Sequence, residues 1–390
     1  MKSIYIDKEA VATLVKLKKG LFAPVTKLMG KKEAKDVDKT GMYKDSSFPF
    51  SFMLAPNGSR NEKILKEVKS GDKLSLVCDD VVVGSIVASE VFKIDRIKRV
   101  KRIYGTDSLT HKGVQDTLRR LGNLAICGSY EIHSTGLENK IDNTKNILSN
   151  NSDKKISAMM LSGQPFHRVH EKFIRNELEN CDILVIFLLK PYKKDMLEYE
   201  VRHKMLSYFI DKYLPKDRVL LVALENTYIF GGLNELMLNA IVAQNYGCHK
   251  LIVGQNHAGL GVMYDKDRLS SIVDTLKGIN IKIAINSSYV YCQECKTLVS
   301  TTTCPHGSHN HIAYNSKIIM ELFELGMVPP ALLMRKEISA MILSAMHDDR
   351  SEKLRKIHSY ISFSAGLIDD FSDEDFYNNL INLHQTTSLT

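Results

Sequence analysis

The sequence predicts an α/β protein made of a β-rich N-terminal part followed by a parallel sheet with helices on both faces. From residue 156 onwards, short apolar runs alternate with amphipathic segments, which is the pattern of strand–helix units in a parallel sheet. Before residue 150, β-branched runs separated by turn residues are typical of antiparallel strands. A chain of 390 residues that contains these two sequence patterns is long enough for two or three domains.

The composition is that of a globular protein that binds anions. Hydrophobic residues make up 44% of the chain and charged residues 25%, and no apolar run reaches the roughly 18 residues of a membrane-spanning helix. The seven cysteines are an odd number and mostly scattered, so we expect reduced thiols and a cytoplasmic location. A net charge of +8 favours anionic ligands such as nucleotides.

Residues 1–150 form the predicted N-terminal domain. Its clearest element is a hairpin over 72–94, where an Asp-Asp pair separates two β-branched runs. The basic segment 93–105 alternates Ile or Val with Lys or Arg. We interpret it as a half-exposed strand rather than a nucleic-acid groove, so nucleic acid is not an expected partner. The Asn- and Lys-rich segment 139–155 is predicted to be a linker or loop.

Residues 151–286 form the predicted catalytic domain. The apolar runs predict strands at 156–161, 182–189, 218–224, 250–254 and 281–286. The segments between them predict helices at 167–180, 196–213, 233–247 and 266–278. In a parallel sheet of this kind ligands bind at the carboxyl ends of the strands. The segments that follow the first and fourth strands are therefore predicted to line one crevice, in which a nucleotide binds.

The segment LSGQPFHRVHE (161–171) carries the candidate catalytic pair. His167 and His170 lie one turn apart at a predicted helix start, so their side chains are expected on the same side. The free N–H groups and positive potential of a helix start suit a phosphate. We predict that both histidines, with Gln164 and Pro165 before them, bind the phosphates of a nucleotide. The alternative is a chance pair of solvated histidines.

The segment GQNHAGLG (254–261) follows the fourth predicted strand. Its three glycines allow a close approach of the main chain to a ligand. The candidate ligand contacts are Gly254, Gln255, Asn256, His257, Ala258 and Gly259. A glycine-rich turn is weak evidence alone, so this prediction depends on the expected position beside the histidine pair.

Residues 287–345 form a predicted small C-terminal domain, and residues 346–390 a helical tail. Three cysteines lie close together in the small domain: Cys292, Cys295 and Cys304. Two cysteines separated by two residues bind one zinc ion from a turn, and a third Cys and a His complete a tetrahedral site. Four protein ligands would make this zinc structural rather than catalytic.

A histidine is the fourth ligand in this prediction. His309 is the residue that we expect to complete the site, and His306 and His311 are the alternatives. The competing interpretation is a coincidental cluster of cysteines.

The order and spacing of these motifs resemble the ATP sulfurylase (sulfate adenylyltransferase) family. The resemblance is carried by LFAPVTKLMG (21–30), YGTDSLTHKGV (104–114), PFHRVHE (165–171), the stretch 231–261, CPHGSHNH (304–311) and MVPPALLMRKEI (327–338). It implies a PUA-like N-terminal domain and a Rossmann-like nucleotidyltransferase domain with the HxxH signature. It also implies a small C-terminal domain, which bears zinc in some members.

The resemblance further implies a reaction in sulfate assimilation. ATP and sulfate give adenylyl sulfate and pyrophosphate in the presence of Mg²⁺, through in-line attack of a sulfate oxygen on the α-phosphorus. His167 and His170 would stabilise the phosphates as charge moves to pyrophosphate. His257, Ala258 and Gly259 would contact nucleotide and sulfate. The implied partners are small molecules (ATP, and sulfate or another oxyanion or acid) and further copies of the chain, without a membrane.

Several residues depart from the family pattern. Leu161 and Gly163 stand in place of the sulfate-binding Gln and Arg, Gln255 and Asn256 in place of Arg and Asp, and Ile229 and Asn234 in place of two arginines. Each lost guanidinium–anion contact costs about 1.5–3 kcal/mol. The prediction is the family reaction. A nucleotidyltransferase with a less anionic acceptor and a non-catalytic binding protein remain the alternatives.

Overall fold

The N-terminal region alternates short strands with helices. The strands are β1 (Lys2–Tyr5), β2 (Met42–Tyr43), β3 (Ser46–Ser47), β4 (Leu54–Pro56), β5 (Lys73–Cys78), β6 (Val81–Lys93) and β7 (Leu121–Ile132). The helices are α1 (Lys8–Lys18), α2 (Lys31–Thr40), α3 (Ser59–Lys66), α4 (Arg96–Tyr104), α5 (Lys112–Arg120) and α6 (Thr135–Ser149). The computed structural model describes residues 2–133, 135–190, 196–225, 231–255, 257–262, 266–347, 353, 356 and 372–384.

Five of these strands form one sheet in the order β1-β5-β6-β7-β4. β1 pairs with β5 in parallel, and the other pairs are antiparallel. The predicted hairpin is confirmed as β5 and β6, and its turn residues Asp79 and Asp80 have positive φ angles of 48° and 61°. Gly128 on β7 faces the main chain of β6. A Cβ there would lie 1.9 Å from the main-chain oxygen of Val87, so glycine is required.

The prediction of a half-exposed strand over 93–105 is wrong, because most of that segment forms helix α4. The side chain of Asp95 accepts a hydrogen bond from the main-chain N–H of Lys98 at 3.0 Å and begins the helix. Val100 and Ile103 are buried, one turn apart on the same face. Apolar residues three apart share a face in a helix but lie on opposite faces of a strand, so the spacing as well as the cap favours the helix.

The prediction of a linker over 139–155 is also wrong for its first part. Helix α6 extends to Ser149, and its Ile141 and Leu148 are buried. These residues are seven apart, which is two helical turns, so a single apolar stripe holds this polar segment in a helix.

The next region contains a parallel sheet. Its strands are β8 (Ile156–Leu161), β9 (Ile183–Lys190), β10 (Val219–Glu225), β11 (Lys250–Gly254) and β12 (Lys282–Asn286). Its helices are α7 (Arg168–Leu178), α8 (Tyr199–Tyr213), α9 (Gly232–Asn245) and α10 (Lys266–Asp274). The strand order is β10-β9-β8-β11-β12, with β8–β11 and β11–β12 paired in parallel. The five predicted strands and four predicted helices are confirmed.

The strand order reverses direction between β8 and β11, because β9 and β10 lie on one side and β12 on the other. Such a reversal is the point where doubly wound sheets bind ligands. β8 and β11 are neighbouring parallel strands, so their carboxyl ends lie at the same edge of the sheet.

The C-terminal region contains a small sheet and three described helices. These elements are β13 (Tyr289–Cys292), β14 (Thr297–Ser300), β15 (His311–Ala313), α11 (Ser316–Glu324), α12 (Lys336–Met346) and α13 (Asp373–His384). The sheet has the antiparallel order β14-β13-β15. Lys336 Nζ on α12 donates to Asn382 Oδ1 on α13 at 2.9 Å. Within the described ranges, no helix has the length and apolar character that crossing a bilayer requires.

The chain divides into two compact units that are not contiguous in sequence. The first unit comprises Met1–Met160, Cys181–Tyr192 and Val222–Asn286. The second unit comprises Leu161–Asn180, Lys193–Leu221 and Ser287–Thr390. The N-terminal sheet therefore shares a unit with most of the parallel sheet, while α7, α8 and the C-terminal elements make up the other.

Candidate active site

His167 and His170 form a stacked pair at the start of α7 in the second unit. His167 immediately precedes the helix and is 5% exposed. The two ring centroids lie 3.8 Å apart, and His170 Nδ1 accepts a hydrogen bond from the main-chain N–H of His167 at 3.2 Å. The ring of Phe166 stacks on His170 at 5.7 Å. The structure therefore brings the two histidines together with fixed ring orientations.

Both rings are uncharged near neutral pH. Burial lowers the pKa of His170 to about 4. Burial, with the nearby His170 as a lesser cause, lowers the pKa of His167 well below its usual value. Because His170 accepts at Nδ1, its proton lies on Nε2, which is a donor. His167 Nδ1 is shielded from solvent and has no hydrogen-bond partner within the described ranges, so the pair has bonding capacity left for a ligand.

Two residues from the C-terminal region contact His167. Ser316 Oγ lies 3.4 Å from His167 Nε2. The ring of Tyr314 packs 5.5 Å from the imidazole, and its hydroxyl donates to the main-chain oxygen of Leu332 at 2.6 Å. Ser316 and Tyr314 therefore contact the imidazole directly, and Leu332 holds the Tyr314 hydroxyl.

A buried ion pair fixes α7. Glu171, 5% exposed, accepts two hydrogen bonds from Arg335, from Nε and from Nη2, both at 2.8 Å. The Arg335 guanidinium lies 3.7 Å from the ring centroid of Tyr213. Arg168 Nη1 also donates to Glu171 at 3.3 Å, and its Nε donates to the main-chain oxygen of Ala331 at 3.1 Å. Arg168 and Arg335 therefore join the first turn of α7 to the segment just before α12.

The loop that connects β8 to α7 is held by α8. Gln164 Oε1 accepts a hydrogen bond from the main-chain N–H of Leu197 at 2.8 Å. Arg202 is 2% exposed, and it donates to the main-chain oxygens of Ser162 at 2.6 Å and Leu197 at 2.8 Å. Gly163 has a φ of 64°, a left-handed conformation that other residues adopt only with strain. Arg202 thus places a buried positive charge at this loop.

In the first unit, the segment after β11 forms a tight turn. Ala258 has φ 54° and Gly259 has φ 81°, so two consecutive residues are left-handed. Asn239 Nδ2 on α9 donates to His257 Nε2 at 3.1 Å, and burial lowers the pKa of His257 to about 4. His257 is therefore a fixed, neutral ring. Asn256 lies outside the described residues.

The start of α9 is also tied in place within the first unit. The main-chain N–H of Gly231 donates to Glu235 Oε2 at 2.9 Å. Asn234 Nδ2 donates to the main-chain oxygens of Arg102 and Ile103, both at 2.8 Å. Asn234 thereby satisfies carbonyl groups at the end of α4, so it has a structural role of its own. Ile229 lies outside the described residues.

Four side chains near the end of β13 are arranged for a metal ion. Cys292, Cys295, Cys304 and His306 bring their ligand atoms within 4.8 Å of one another. His306 Nδ1 lies 3.4, 3.3 and 3.6 Å from the three sulfur atoms, in that order. A tetrahedral zinc site with ordinary metal–ligand distances places its ligand atoms about 3.3–3.8 Å apart, so the four groups fit this ion.

The structure corrects the predicted fourth ligand. His309 is exposed, and its Nε2 lies 3.3 Å from the side-chain nitrogen of Asn310 instead of facing the sulfur atoms. His306 lies beside the sulfur atoms, whereas His309 lies within the 3-10 turn Ser308–Asn310 that follows it. His311, the other alternative, lies beside the group, with Nε2 3.4 Å from Cys304 Sγ.

Comparison with known protein families shows to which family this chain belongs. A family model described as ATP-sulfurylase matches residues 136–345, more than half of the chain. The chain belongs to the ATP-sulfurylase family. A PUA-like domain model matches residues 1–135, which confirms the predicted PUA-like N-terminal domain. ATP sulfurylases are nucleotidyltransferases, so the predicted enzyme class and the α/β fold class are confirmed as well.

Sulfate adenylyltransferases are similar to this ATP-sulfurylase family member over most of its length. That of Carboxydothermus hydrogenoformans is 28% identical over 292 residues, covering 72% of this chain and 74% of the relative. That of Psychrobacter sp. (strain PRwf-1) is 25% identical over 373 residues, covering 90% and 88%. A solved structure described as a hexameric APS kinase from Thiobacillus denitrificans matches with a TM-score of 0.62 at 17% identity. It covers 88% of this chain, which spans 62% of that one. At that identity the likeness supports the fold alone.

The structure adds site residues that sequence reasoning missed. Ser316 and Tyr314 contact His167, Arg335 binds Glu171 on the same helix, and Arg202 and Asn239 support the two loops. Arg335 lies in a segment that resembles the family, but no local pattern assigns it to Glu171, because the two are 164 positions apart. Only the tertiary fold brings such residues together.

We expect the free energy of unfolding to decrease as the pH falls from 6.5 towards 4. The pKa of His170 is about 4 in the folded protein, against an ordinary value of 6.5. Between pH 6.5 and 4 the unfolded chain binds a proton at His170 that the folded chain does not. The stabilisation that comes from a neutral His170 is therefore fully present above pH 6.5 and is lost on acidification. One such histidine contributes up to about 1.4 kcal/mol per pH unit. Denaturant titrations of the parent and His170→Gln at pH 7, 6 and 5 measure the slope.

In His170→Gln the unfolded chain no longer takes up this proton. The slope of the unfolding free energy against pH should therefore decrease by the equivalent of roughly one proton. His203→Gln is the matched control, because His203 is exposed on α8, and it should retain the parental slope. Equal slopes for the parent and His170→Gln would contradict a buried, neutral His170.

Proposed function

We propose that this protein transfers the adenylyl group of ATP to sulfate, giving adenylyl sulfate and pyrophosphate. The observation that carries the proposal is the stacked, uncharged pair His167 and His170 at the start of a helix, in a chain of the ATP-sulfurylase family. Relatives that match most of the chain are named sulfate adenylyltransferases. Phosphates are the ligands that suit neutral N–H donors and the amides of a helix start.

In this proposal the histidines act on the leaving group. An acceptor oxygen attacks the α-phosphorus in line, and negative charge moves to pyrophosphate as the bond to it breaks. His170 Nε2–H donates to a phosphate oxygen, and the neutral His167 ring is a second donor in its Nδ1–H tautomer, with Nε2 facing Ser316 Oγ. Donors fixed before the reaction stabilise this charge without reorganisation. Mg²⁺ would accompany the ATP phosphates.

Further contacts to the nucleotide are proposed for the predicted residues. They are Gln164, Pro165, Gly254, Gln255, Asn256, His257, Ala258 and Gly259. The tight turn at Ala258 and Gly259 supports this, because strained left-handed residues are retained mainly where a ligand needs the main chain. A homo-oligomer remains a prediction; a solved relative is described as hexameric.

The acceptor side favours a second candidate, an acceptor with less negative charge than sulfate. Leu161 is buried and Gly163 has no side chain, so neither supplies the donors that a dianion needs. The left-handed backbone at Gly163 also disfavours an arginine there, by about 1–2 kcal/mol. The buried guanidinium of Arg202 is the cation that contacts this loop. A single guanidinium that contacts the main chain of this loop suits either a weakly bound sulfate or a singly charged acid.

Pyrophosphate release from Mg²⁺-ATP, measured across sulfate, selenate, molybdate, phosphate and small carboxylic acids, tests the reaction. We expect release that depends on one oxyanion or acid, with a KM for sulfate above that for ATP. His167→Ala and His170→Ala should each reduce kcat by about 100- to 1000-fold. No binding of Mg²⁺-ATP to the parent protein in calorimetry would exclude both enzymatic candidates and leave a non-catalytic binding protein.

Arg202 should affect the acceptor more than the nucleotide. Replacing it by Met removes the only charge that we assign to the acceptor loop, so the KM for the acceptor should rise about 10- to 100-fold. The KM for ATP should change by less than about twofold, and Arg202→Lys should recover part of the loss. Arg175→Gln on α7 is the control. Equal changes in both KM values would instead indicate a purely structural role.

We also propose that Cys292, Cys295, Cys304 and His306 bind one structural zinc ion. Thiolate ligands bind zinc only when deprotonated, and metal binding stabilises the folded state. Elemental analysis of protein purified without added metal should give about one zinc per chain. His306→Ala should lose the metal, and His309→Ala should keep it, because His309 faces away from the sulfur atoms. The reverse pattern, or freely titrating thiols in the parent, would refute the site.

A further inference from the structure

A cavity of about 390 Å³ lies in the N-terminal part of the first unit, and its walls contain none of the candidate active-site residues. The apolar part of its lining is buried and consists of Ile6, Leu14, Leu28, Phe52, Leu54 and Ile103. A cavity of about 150 Å³ is enough to hold a benzene ring. This cavity therefore has room for a ligand of two fused rings.

One acid in the lining has an oxygen that accepts no hydrogen bond. Glu9, in the first turn of α1, keeps 15% of its side-chain surface exposed. Arg120 donates to Glu9 Oε2, and no described residue donates to Oε1. Oε1 is not among the polar atoms that are sealed from solvent without a partner, so a ligand in the cavity can reach it. Burial raises the pKa of Glu9 to about 7, which indicates a poorly solvated carboxylate that gains from a further donor.

A buried cation lines the same cavity. Arg99 on α4 is 6% exposed. Its Nη1 donates to Ser51 Oγ at 3.0 Å and lies 3.6 Å from Asp38 Oδ1. Its Nε and Nη2 donate to no described residue, and neither is among the atoms sealed from solvent without a partner. The guanidinium therefore keeps N–H donors for an acceptor that enters the cavity.

The charges of the lining favour a neutral ligand. The acids include Asp7 and Glu9, and the bases are Arg99 and Arg120. A ligand with a net charge of either sign would meet a like charge in a partly apolar cavity, which is costly. A neutral ligand avoids this cost if it carries a carbonyl oxygen for Arg99 and an N–H group for Glu9. A planar ring system suits the walls, because Phe52 offers an aromatic surface.

We propose that this cavity binds an oxopurine, either as the free base or as the base of a nucleoside. Its carbonyl oxygen accepts from the Arg99 guanidinium, a ring N–H donates to Glu9 Oε1, and the fused rings contact Phe52 and Ile103. This chemistry satisfies the open acceptor, the open donors and the apolar walls at once. The site is separate from the candidate active site and does not depend on the proposed reaction.

Three ligands of similar shape test the proposal by calorimetry on the full chain. Hypoxanthine carries the carbonyl and ring N–H groups, purine lacks the carbonyl, and 1,9-dimethylhypoxanthine lacks both ring N–H groups. We expect saturable binding of hypoxanthine, with each analogue at least about tenfold weaker. If hypoxanthine fails to bind up to its solubility limit, or if either analogue binds equally well, the proposal is wrong.

Inosine distinguishes the two sources of the oxopurine ring. It carries the ring system of hypoxanthine with a ribose on N9. Binding at least as tight as that of hypoxanthine assigns the site to a nucleoside, and weaker binding assigns it to the free base.

Variants then locate the ligand. In Glu9→Gln the amide oxygen is held by Arg120, so the amide N–H₂ group replaces the open acceptor, and hypoxanthine binding should weaken at least about tenfold. Arg99→Met should weaken it by a similar factor. Glu67→Gln, which alters an exposed ion pair with Lys2, should leave binding unchanged.

The candidate active site supplies the second control. His170→Ala should leave hypoxanthine binding unchanged, and a loss of binding there would overturn the proposal by assigning the ligand to the active site. If Arg99→Met does not fold, Glu9→Gln and the analogue series on the parent protein still decide.

Discussion

The second unit depends on the burial of one carboxylate. The buried carboxylate of Glu171 accepts hydrogen bonds at both oxygens from Arg335 and a third from Arg168. Removing one partner from such a pair leaves an uncompensated charge and costs about 3–5 kcal/mol. The same pair joins α7 to the start of α12, and Arg335 stacks on Tyr213 at the end of α8. The histidine pair therefore sits on a helix whose position is fixed before any substrate arrives, which is the condition for catalysis by positioning.

The residues that depart from the ATP-sulfurylase pattern have different structural roles in this chain. Asn234 takes part in the fold, because it bonds the carbonyl groups at the end of α4. Leu161 is buried and serves packing. Gly163 permits a backbone that an arginine would strain. Asn234 and Leu161 therefore support this chain's own scaffold, while Arg202 places one positive charge at the loop.

Local sequence patterns were sufficient to predict the strands and helices whose apolar residues follow one clear periodicity. The five parallel strands are continuous apolar runs, and the hairpin of β5 and β6 has a turn that favours positive φ. Helix α4 was missed because the mixture of Ile or Val with Lys or Arg was taken for a strand alternation, whereas its apolar residues recur every three positions after the cap at Asp95, which is a helical spacing. In the metal cluster, three cysteines and a set of three histidines were found, but the choice of His306 depends on the 3-10 turn over Ser308–Asn310, which the spacing of the histidines does not reveal. Contacts such as Arg335 with Glu171 join residues far apart in the chain, so no local pattern contains them.

The division of the chain also governs its synthesis. The N-terminal sheet emerges from the ribosome first, yet the unit to which it belongs ends at Asn286. At about 5–20 residues per second, roughly ten to thirty seconds separate the synthesis of Ile132, the end of that sheet, from the synthesis of Asn286, the end of its unit. Until Asn234 is synthesised, the carbonyl groups at the end of α4 lack its two hydrogen bonds. A gene fragment that ends before residue 286 therefore encodes neither unit in full.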